Sequence, residues 1–253
     1  MKHDRPTGVQ MAPPLPRTAA PPSAPLPDGL PDVMIVGDSH TAALFEGARL
    51  RRLDARLLYI SGNFWHEGKI RYSARQGLSA RYRPPLRRLI RNVGAPLGGT
   101  VFPAGVPVIA SFGYHLGRLV PLMRRGGQTP DPADFEMRDD ALFLSRAFVE
   151  GYLHHHRGAL IRVLRQLSGE RRIVVVAPPV VQDDPAALRL AAIITGWLTE
   201  QGVPVFDPRR EPGFGPAPLD AALRAPDGVH GTAAYGAMVI DRLLDAGLLA
   251  PRR

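Results

Sequence analysis

Cysteine is absent from this chain of 253 residues, which excludes disulfide frameworks, thiolate metal sites and cysteine nucleophiles. No apolar run approaches the roughly 18 residues that a helix needs to cross a bilayer. The first thirty residues hold charges and many prolines, but not the continuous apolar stretch of a secretory signal. A cytoplasmic location is therefore the expectation.

Lysine is also scarce, with Lys2 and Lys69 as the only two, so nearly all the positive charge is arginine and the formal net charge is +9. Such a surplus could mark nucleic acid, an anionic glycan or a membrane surface as a partner. The arginines are scattered along the chain rather than interleaved with aromatic residues on one strand. This scattered pattern indicates that the arginines reflect the codon usage of a GC-rich bacterial genome. No nucleic-acid partner is therefore expected.

Short apolar runs alternate with helical patterns along most of the chain. Residues 1–31 are rich in proline and alanine, which predicts a disordered leader ahead of a single domain over 32–253. Strands are predicted at 33–36, 56–60, 106–112, 172–177 and 203–206, and helices at 40–52, 83–91, 140–167, 185–201 and 232–247. This alternation indicates an α/β fold with a parallel sheet covered on both faces, whose ligands bind beyond the carboxyl ends of the strands. The segment 116–139 is expected to be an insertion or lid.

The first polar motif, Gly37-Asp38-Ser39-His40, follows the first predicted strand directly. Gly37 allows a sharp turn, and Ser39 then falls at the start of a helix, beside free N–H groups and the positive end of the helix dipole. Those features favour a nucleophilic serine next to a site for an oxyanion. The alternative is that Asp38 or Ser39 only caps the helix.

The second polar motif, Asp227-Gly228-Val229-His230, precedes the last predicted helix. At this spacing in a turn, the Asp227 carboxylate can reach Nδ1 of His230 while Nε2 points to a nucleophile, as a catalytic triad requires. The alternative is a loop aspartate beside a surface histidine.

Taken in this order, the two motifs resemble the first and last sequence blocks of the SGNH (GDSL-type) hydrolase family. The resemblance spans about 33–247 and includes Ala177-Pro178-Pro179, Val205-Phe206-Asp207-Pro208 and the glycine of Thr232-Ala233-Ala234-Tyr235-Gly236. It implies a three-layer α/β/α sandwich of the flavodoxin-like type. It also implies that Ser39 is the nucleophile, that His230 is the base and that Asp227 orients His230, with no metal or organic cofactor.

The two middle blocks of the family match less closely. Besides the N–H of Ser39, the family uses a glycine after the second strand as an oxyanion donor; Gly62 is the best match and Gly77 the fallback. The third block normally supplies an asparagine, but here the chain has Ser111-Phe112-Gly113-Tyr114-His115, so His115 is expected to donate instead. Losing one such donor typically costs about 100- to 1000-fold in rate. Substrate contacts are expected from Asp38, His40, Gly113 and Tyr114.

Neither a metal nor a nucleotide is expected as a ligand. The three residues His154-His155-His156 are neighbours on a predicted helix, so their side chains point in different directions and cannot easily share one metal ion. The glycines do not form a spaced phosphate loop after a strand.

The resemblance therefore predicts an esterase or deacylase for an oxygen ester, with a small acyl group on a sugar or another polar alcohol as the preferred substrate. One alternative is a glycan O-acyltransferase that uses the same acyl-enzyme. Others are a non-catalytic binding module with a degenerate site, and an anion- or nucleic-acid-binding protein recognised by steep salt dependence.

Overall fold

This computed structural model describes residues 29–66, 69–181, 184–211, 213–214 and 218–249, which contain nine strands, eight α-helices and four short 3₁₀ helices. Residues 1–28 of the predicted leader lie outside it. The strands are β1 (Val33–Gly37), β2 (Ala55–Tyr59), β3 (Ile70–Ser73), β4 (Gly77–Ala80), β5 (Val108–Ser111), β6 (Gln128–Thr129), β7 (Leu142–Phe143), β8 (Ile173–Val176) and β9 (Val205–Phe206). The helices are α1 (Thr41–Leu50), α2 (Gly62–His66), α3 (Pro84–Gly94), α4 (Leu116–Met123), α5 (Pro132–Glu136), α6 (Arg146–Glu170), α7 (Pro185–Glu200) and α8 (Ala233–Asp245).

The central sheet has five parallel strands in the order β2–β1–β5–β8–β9. Counted along the chain, this is the flavodoxin-like order 2-1-3-4-5. Strand β1 lies between β2 and β5, with Val36 opposite Leu58 of β2 and Ala110 of β5. The predicted fold class, an α/β sandwich around a parallel sheet, is confirmed.

Successive residues of β1 enter two different hydrophobic cores, because side chains alternate across a strand. Met34 and Val36 belong to a core completed by α3, α6 and α7. Val33 and Ile35 face the opposite core, completed by α1 and α8. Both faces of the sheet are therefore covered by helices, which explains why its strands are continuous apolar runs.

Helices α1 and α8 approach each other closely because glycine lies at their contact. A methyl group on Gly236 would lie only 1.8 Å from the carbonyl oxygen of Ala43, and one on Gly47 only 2.1 Å from the backbone of Gly236. This contact docks α8, and with it the loop before α8, against the helix that follows β1.

Two regions differ from the sequence-based expectation. The helix predicted from 140 begins at Arg146, because the side chain of Ser145 caps it by accepting the N–H of Phe148. Residues 70–80 form an antiparallel hairpin, β3–β4, that no pattern predicted. The segment 116–139 contains α4, β6 and α5; that it acts as a lid stays a prediction. No helix in the described ranges is long and apolar enough to span a membrane.

Candidate active site

The turn after β1 is built on a close approach that only glycine permits. A methyl group on Gly37 would lie 2.2 Å from the carbonyl oxygen of Ser111, at the end of the neighbouring strand β5. The chain continues through Asp38 and Ser39 into α1, with the N–H of Asp38 donating to the same Ser111 carbonyl at 3.0 Å. Ser39 is thereby placed at the carboxyl edge of the sheet.

Ser39, His230 and Asp227 lie in one hydrogen-bonded row. Nε2 of His230 is 2.7 Å from Oγ of Ser39, although the two residues are 191 positions apart in the sequence. Nδ1 of the same ring is 2.7 Å from Oδ2 of Asp227. The structure therefore brings together the three residues that the two motifs singled out.

Asp227 is held as an ionised carboxylate. Its Oδ2 faces the His230 ring, and its Oδ1 accepts the N–H groups of Val229 at 2.9 Å and of His230 at 3.0 Å. The hydrogen bond from the His230 ring, then those two backbone bonds, keep the pKa of Asp227 well below its usual range. An anionic acceptor at Nδ1 places the ring proton there, so Nε2 is left to accept the Ser39 hydroxyl proton.

A second acid–histidine contact joins Asp38 to His115. Oδ2 of Asp38 is 3.2 Å from Nε2 of His115, and Oδ1 of Asp38 accepts the N–H of His40 at 3.1 Å. Asp38 is only 7 % exposed. Burial raises its pKa to about 6, against the opposing effects of the His40 N–H, of His230 in its protonated form and of the positive charge on Arg157.

The ring of His40 packs beside that of His230, with the centroids 4.8 Å apart. Burial first, and then repulsion from His230 in its protonated form, lower the pKa of His40 to about 4. His40 is therefore neutral at neutral pH, and it supports the His230 ring without adding a competing charge.

A cavity of about 470 Å³ opens at this row of groups. Ser39, Gly62 and His115 line it, and so do Asp38, His40 and Tyr114. Its apolar wall comes from Val176, the last residue of β8, and from residues 178–181 of the segment that follows.

The other predicted site residues lie differently. Gly77 pairs with Ser73 in the β3–β4 hairpin and does not line the cavity, so of the two candidate glycines the structure brings Gly62 to the site. Gly113 does not line it either, since this residue packs on Leu164. The hydroxyl of Tyr114 is bonded to Oγ1 of Thr195 at 2.8 Å, and burial raises its pKa.

The sequence analysis missed one polar residue close to this site, Arg157 of α6. Its side chain is completely buried and contacts the loop that carries His115. A signal was present in the sequence, because Arg157 falls within the apolar stripe of the helix. The buried members of that stripe are Val149, Leu153, Leu160, Leu164 and Leu167.

Among the described residues, no group of three histidine or acidic side chains could hold a metal ion. The three adjacent histidines of α6 do not converge. His154 packs on Trp197 with the ring centroids 3.7 Å apart, whereas His156 packs on Tyr152 at 4.5 Å.

No protein-family model matches the chain, and no curated protein matches it. Several solved structures do. A GDSL-like lipase from Bacteroides thetaiotaomicron is 13 % identical over 85 % of this chain and 86 % of its own, with a TM-score of 0.45. A lipase/acylhydrolase from Enterococcus faecalis is 14 % identical over 87 % and 98 %, with a TM-score of 0.42. An acetylxylan esterase from Geobacillus stearothermophilus is 15 % identical over 86 % and 95 %, with a TM-score of 0.43. Because these identities and TM-scores are low, the functional argument rests on the geometry of the site.

Proposed function

We propose that this chain is a serine esterase of the SGNH type, which hydrolyses an oxygen ester through an acyl-enzyme. The observation that carries the proposal is the row Ser39–His230–Asp227, in which both hydrogen bonds measure 2.7 Å. A serine, a base within reach of it and an acid that orients the base together form the arrangement that activates a hydroxyl group.

Acylation begins when Oγ of Ser39 attacks the ester carbonyl carbon and its proton moves to Nε2 of His230. The ionised Asp227 stabilises the resulting imidazolium. The tetrahedral intermediate then collapses, the bond to the alcohol oxygen breaks, and His230 returns the proton to the departing alcohol. Ser39 is left as an ester of the acyl group.

Deacylation repeats these steps with water in place of Ser39. His230 takes a proton from water, the hydroxide adds to the acyl carbon, and the carbon–Oγ bond breaks as His230 protonates Oγ. The carboxylic acid leaves and the free serine is restored. The side chains of Asp227 and His230 are 52 % and 27 % exposed, which gives water direct access to this base.

The oxyanion of both intermediates would form beside Ser39, Gly62 and His115, which line the same cavity. The backbone N–H groups of Ser39 and Gly62 have no hydrogen-bond acceptor in the described part of the chain, so both are available to an oxyanion. The third donor would be Nε2–H of His115, shared between the oxyanion and the Asp38 carboxylate. The Asp38 carboxylate at 3.2 Å favours the tautomer that carries the proton on this nitrogen.

The proposed substrate is a small acyl group on a sugar or another polar alcohol. The apolar wall at 178–181 suits the acyl group, whereas the exposed side of the triad and Arg118 at the cavity suit a polar alcohol. Arg118 is held by Oδ1 of Asn63 from α2.

The test is intact-mass labelling with a fluorophosphonate, followed by a panel of acyl esters. One adduct is expected on the native protein and none on Ser39→Ala. Ser79→Ala, which changes a serine of the β3–β4 hairpin outside the cavity, should label like the native chain. Absence of label on folded native protein would refute the proposal. Product analysis with and without an added sugar distinguishes hydrolysis from acyl transfer.

A further inference from the structure

Arg157 places a charged side chain on the buried face of α6, where the other buried side chains are apolar. The residue is 0 % exposed, and its guanidinium donates to the backbone carbonyls of Tyr114, His115 and His156, among other interactions. Nε donates to Tyr114 at 2.9 Å, Nη2 to His115 at 3.3 Å and Nη1 to His156 at 3.0 Å. Two of the three bonds therefore cross from α6 to the loop between β5 and α4.

Those two bonds fix the backbone on both sides of one residue. The carbonyl of Tyr114 belongs to the peptide plane before the Cα of His115, and the carbonyl of His115 belongs to the plane after it. Holding both planes holds both backbone dihedrals of His115. These dihedrals have φ 49° and ψ 47°, a left-handed conformation that a residue other than glycine rarely adopts without support.

The position of the His115 ring follows from this backbone. The ring lies between the carboxylate of Asp38 and Gly62; a methyl group on Gly62 would lie 3.2 Å from Cδ2 of the ring. A turn of the His115 backbone to a common conformation would swing the ring away from both neighbours.

We propose that Arg157 is a positioning residue, which holds His115 in this conformation so that its ring nitrogen stays at the site of the oxyanion. This inference rests on the proposed function. Packing alone does not explain an arginine here, because burying a guanidinium is costly and the buried positions one turn away on the helix carry Leu153, Leu160 and Ile161. Burial lowers the pKa of Arg157 to about 10, so the group is still charged at neutral pH.

A double-mutant cycle tests the coupling between Arg157 and His115. The variants are Arg157→Met, Arg157→Lys and His115→Ala, alone and combined, with Arg165→Met as the control. Arg165 is exposed, lies on the same helix and contacts only Gln201 among the bonds described for it. The measured quantities are kcat, KM and the midpoint temperature of thermal unfolding. The concentration of active sites, which kcat requires, is determined by fluorophosphonate labelling of a parallel sample.

In the native background, Arg157→Met should lower kcat by about 10- to 100-fold with little change in KM, the size expected when a catalytic donor is displaced by about an ångström. In the His115→Ala background the same change should alter kcat by no more than about twofold. Arg157→Lys should recover part of the loss, because an ammonium group can still reach one carbonyl. Arg165→Met should behave like the native chain.

Equal losses in both backgrounds would overturn the inference, since Arg157 would then act independently of His115. If neither Arg157 variant folds, the residue is required for folding and the inference is refuted as well.

A measurement that does not depend on enzyme activity separates this inference from the proposed function. NMR of the imidazole nitrogens should show the proton of His115 on Nε2 in the native protein, and a changed tautomer or environment in Arg157→Lys. Unchanged His115 signals would refute the positioning role. A native chain that neither labels nor hydrolyses esters would refute the proposed function, while the NMR result still decides the role of Arg157.

Discussion

Replacing Asp38 by asparagine removes a buried charge while keeping the shape of the side chain. The amide oxygen of the new side chain can still accept the N–H of His40, as Oδ1 of Asp38 does at 3.1 Å. The amide cannot carry the negative charge that now lies 3.2 Å from Nε2 of His115. The substitution therefore isolates the effect of that charge on stability and on activity.

The stability gain follows from the pKa of Asp38. Burial raises this pKa from 3.8 to about 6, and each factor of ten in proton affinity is about 1.4 kcal/mol, so the ionised form costs about 3 kcal/mol in the folded state. The folded protein holds the proton more tightly than the unfolded chain does. The penalty is thus absent below about pH 4, grows from pH 4 to 6 and is complete above pH 6.

Asp38→Asn should therefore stabilise the protein at pH 8 by about 1–3 kcal/mol, the lower figure allowing for the desolvation of the amide. For a chain of this size that is a rise in Tm of about 2–12 °C. The gain should vanish near pH 4. Activity should fall, because the variant loses the charge that keeps a proton on Nε2 of His115 and that stabilises the imidazolium of His230.

Urea unfolding and ester hydrolysis, both measured at several pH values, check the two effects together. Asp54→Asn is the matched control, since this aspartate is exposed on the loop before β2 and the change should be neutral in both assays. A gain that persists at pH 4, or no gain at pH 8, would refute the buried-charge reasoning. A stability gain with unchanged kcat would show that the charge serves no catalytic purpose.

Three further predictions concern the triad, the contact between α1 and α8, and one exposed glycine of α6. Asp227→Asn should lower kcat by about 100- to 10,000-fold with little effect on KM, because an amide can hold Nδ1 of His230 in the wrong tautomer; a loss below tenfold in steady-state assays would contradict the proposed role. Gly236→Ala should destabilise the fold by about 3 kcal/mol, since its methyl group would overlap the Ala43 carbonyl. Gly151→Ala, at an open and exposed position inside α6, should instead stabilise by about 0.5–1 kcal/mol in denaturant unfolding.

The apolar runs of the sequence were sufficient to predict the central sheet. Each of the five predicted strands is present, because a parallel strand covered on both faces must be apolar at every position and is easily recognised. The β3–β4 hairpin was missed because its strands have only four residues each, which alternate between buried and less buried positions. Periodicity over so short a length does not distinguish a strand from a loop.

Two short polar motifs of the sequence also indicated which residues would form the candidate triad. A serine directly after the first strand and an Asp-x-x-His turn before the last helix are patterns visible along the chain. The spacing within the second motif alone accounts for the contact between Asp227 and His230.

Tertiary structure determined which other groups lie close to Ser39. Only the parallel pairing of β1 with β5, and the docking of α8 on α1, bring groups 191 residues apart to 2.7 Å. The choice of Gly62 over Gly77 depends on which loop reaches the edge of the sheet. The contact of Arg157 with the His115 loop depends on how α6 packs against β3, β8 and α7. Such contacts arise from packing between distant segments, whereas a sequence read on its own specifies mainly the conformation and polarity of neighbouring residues.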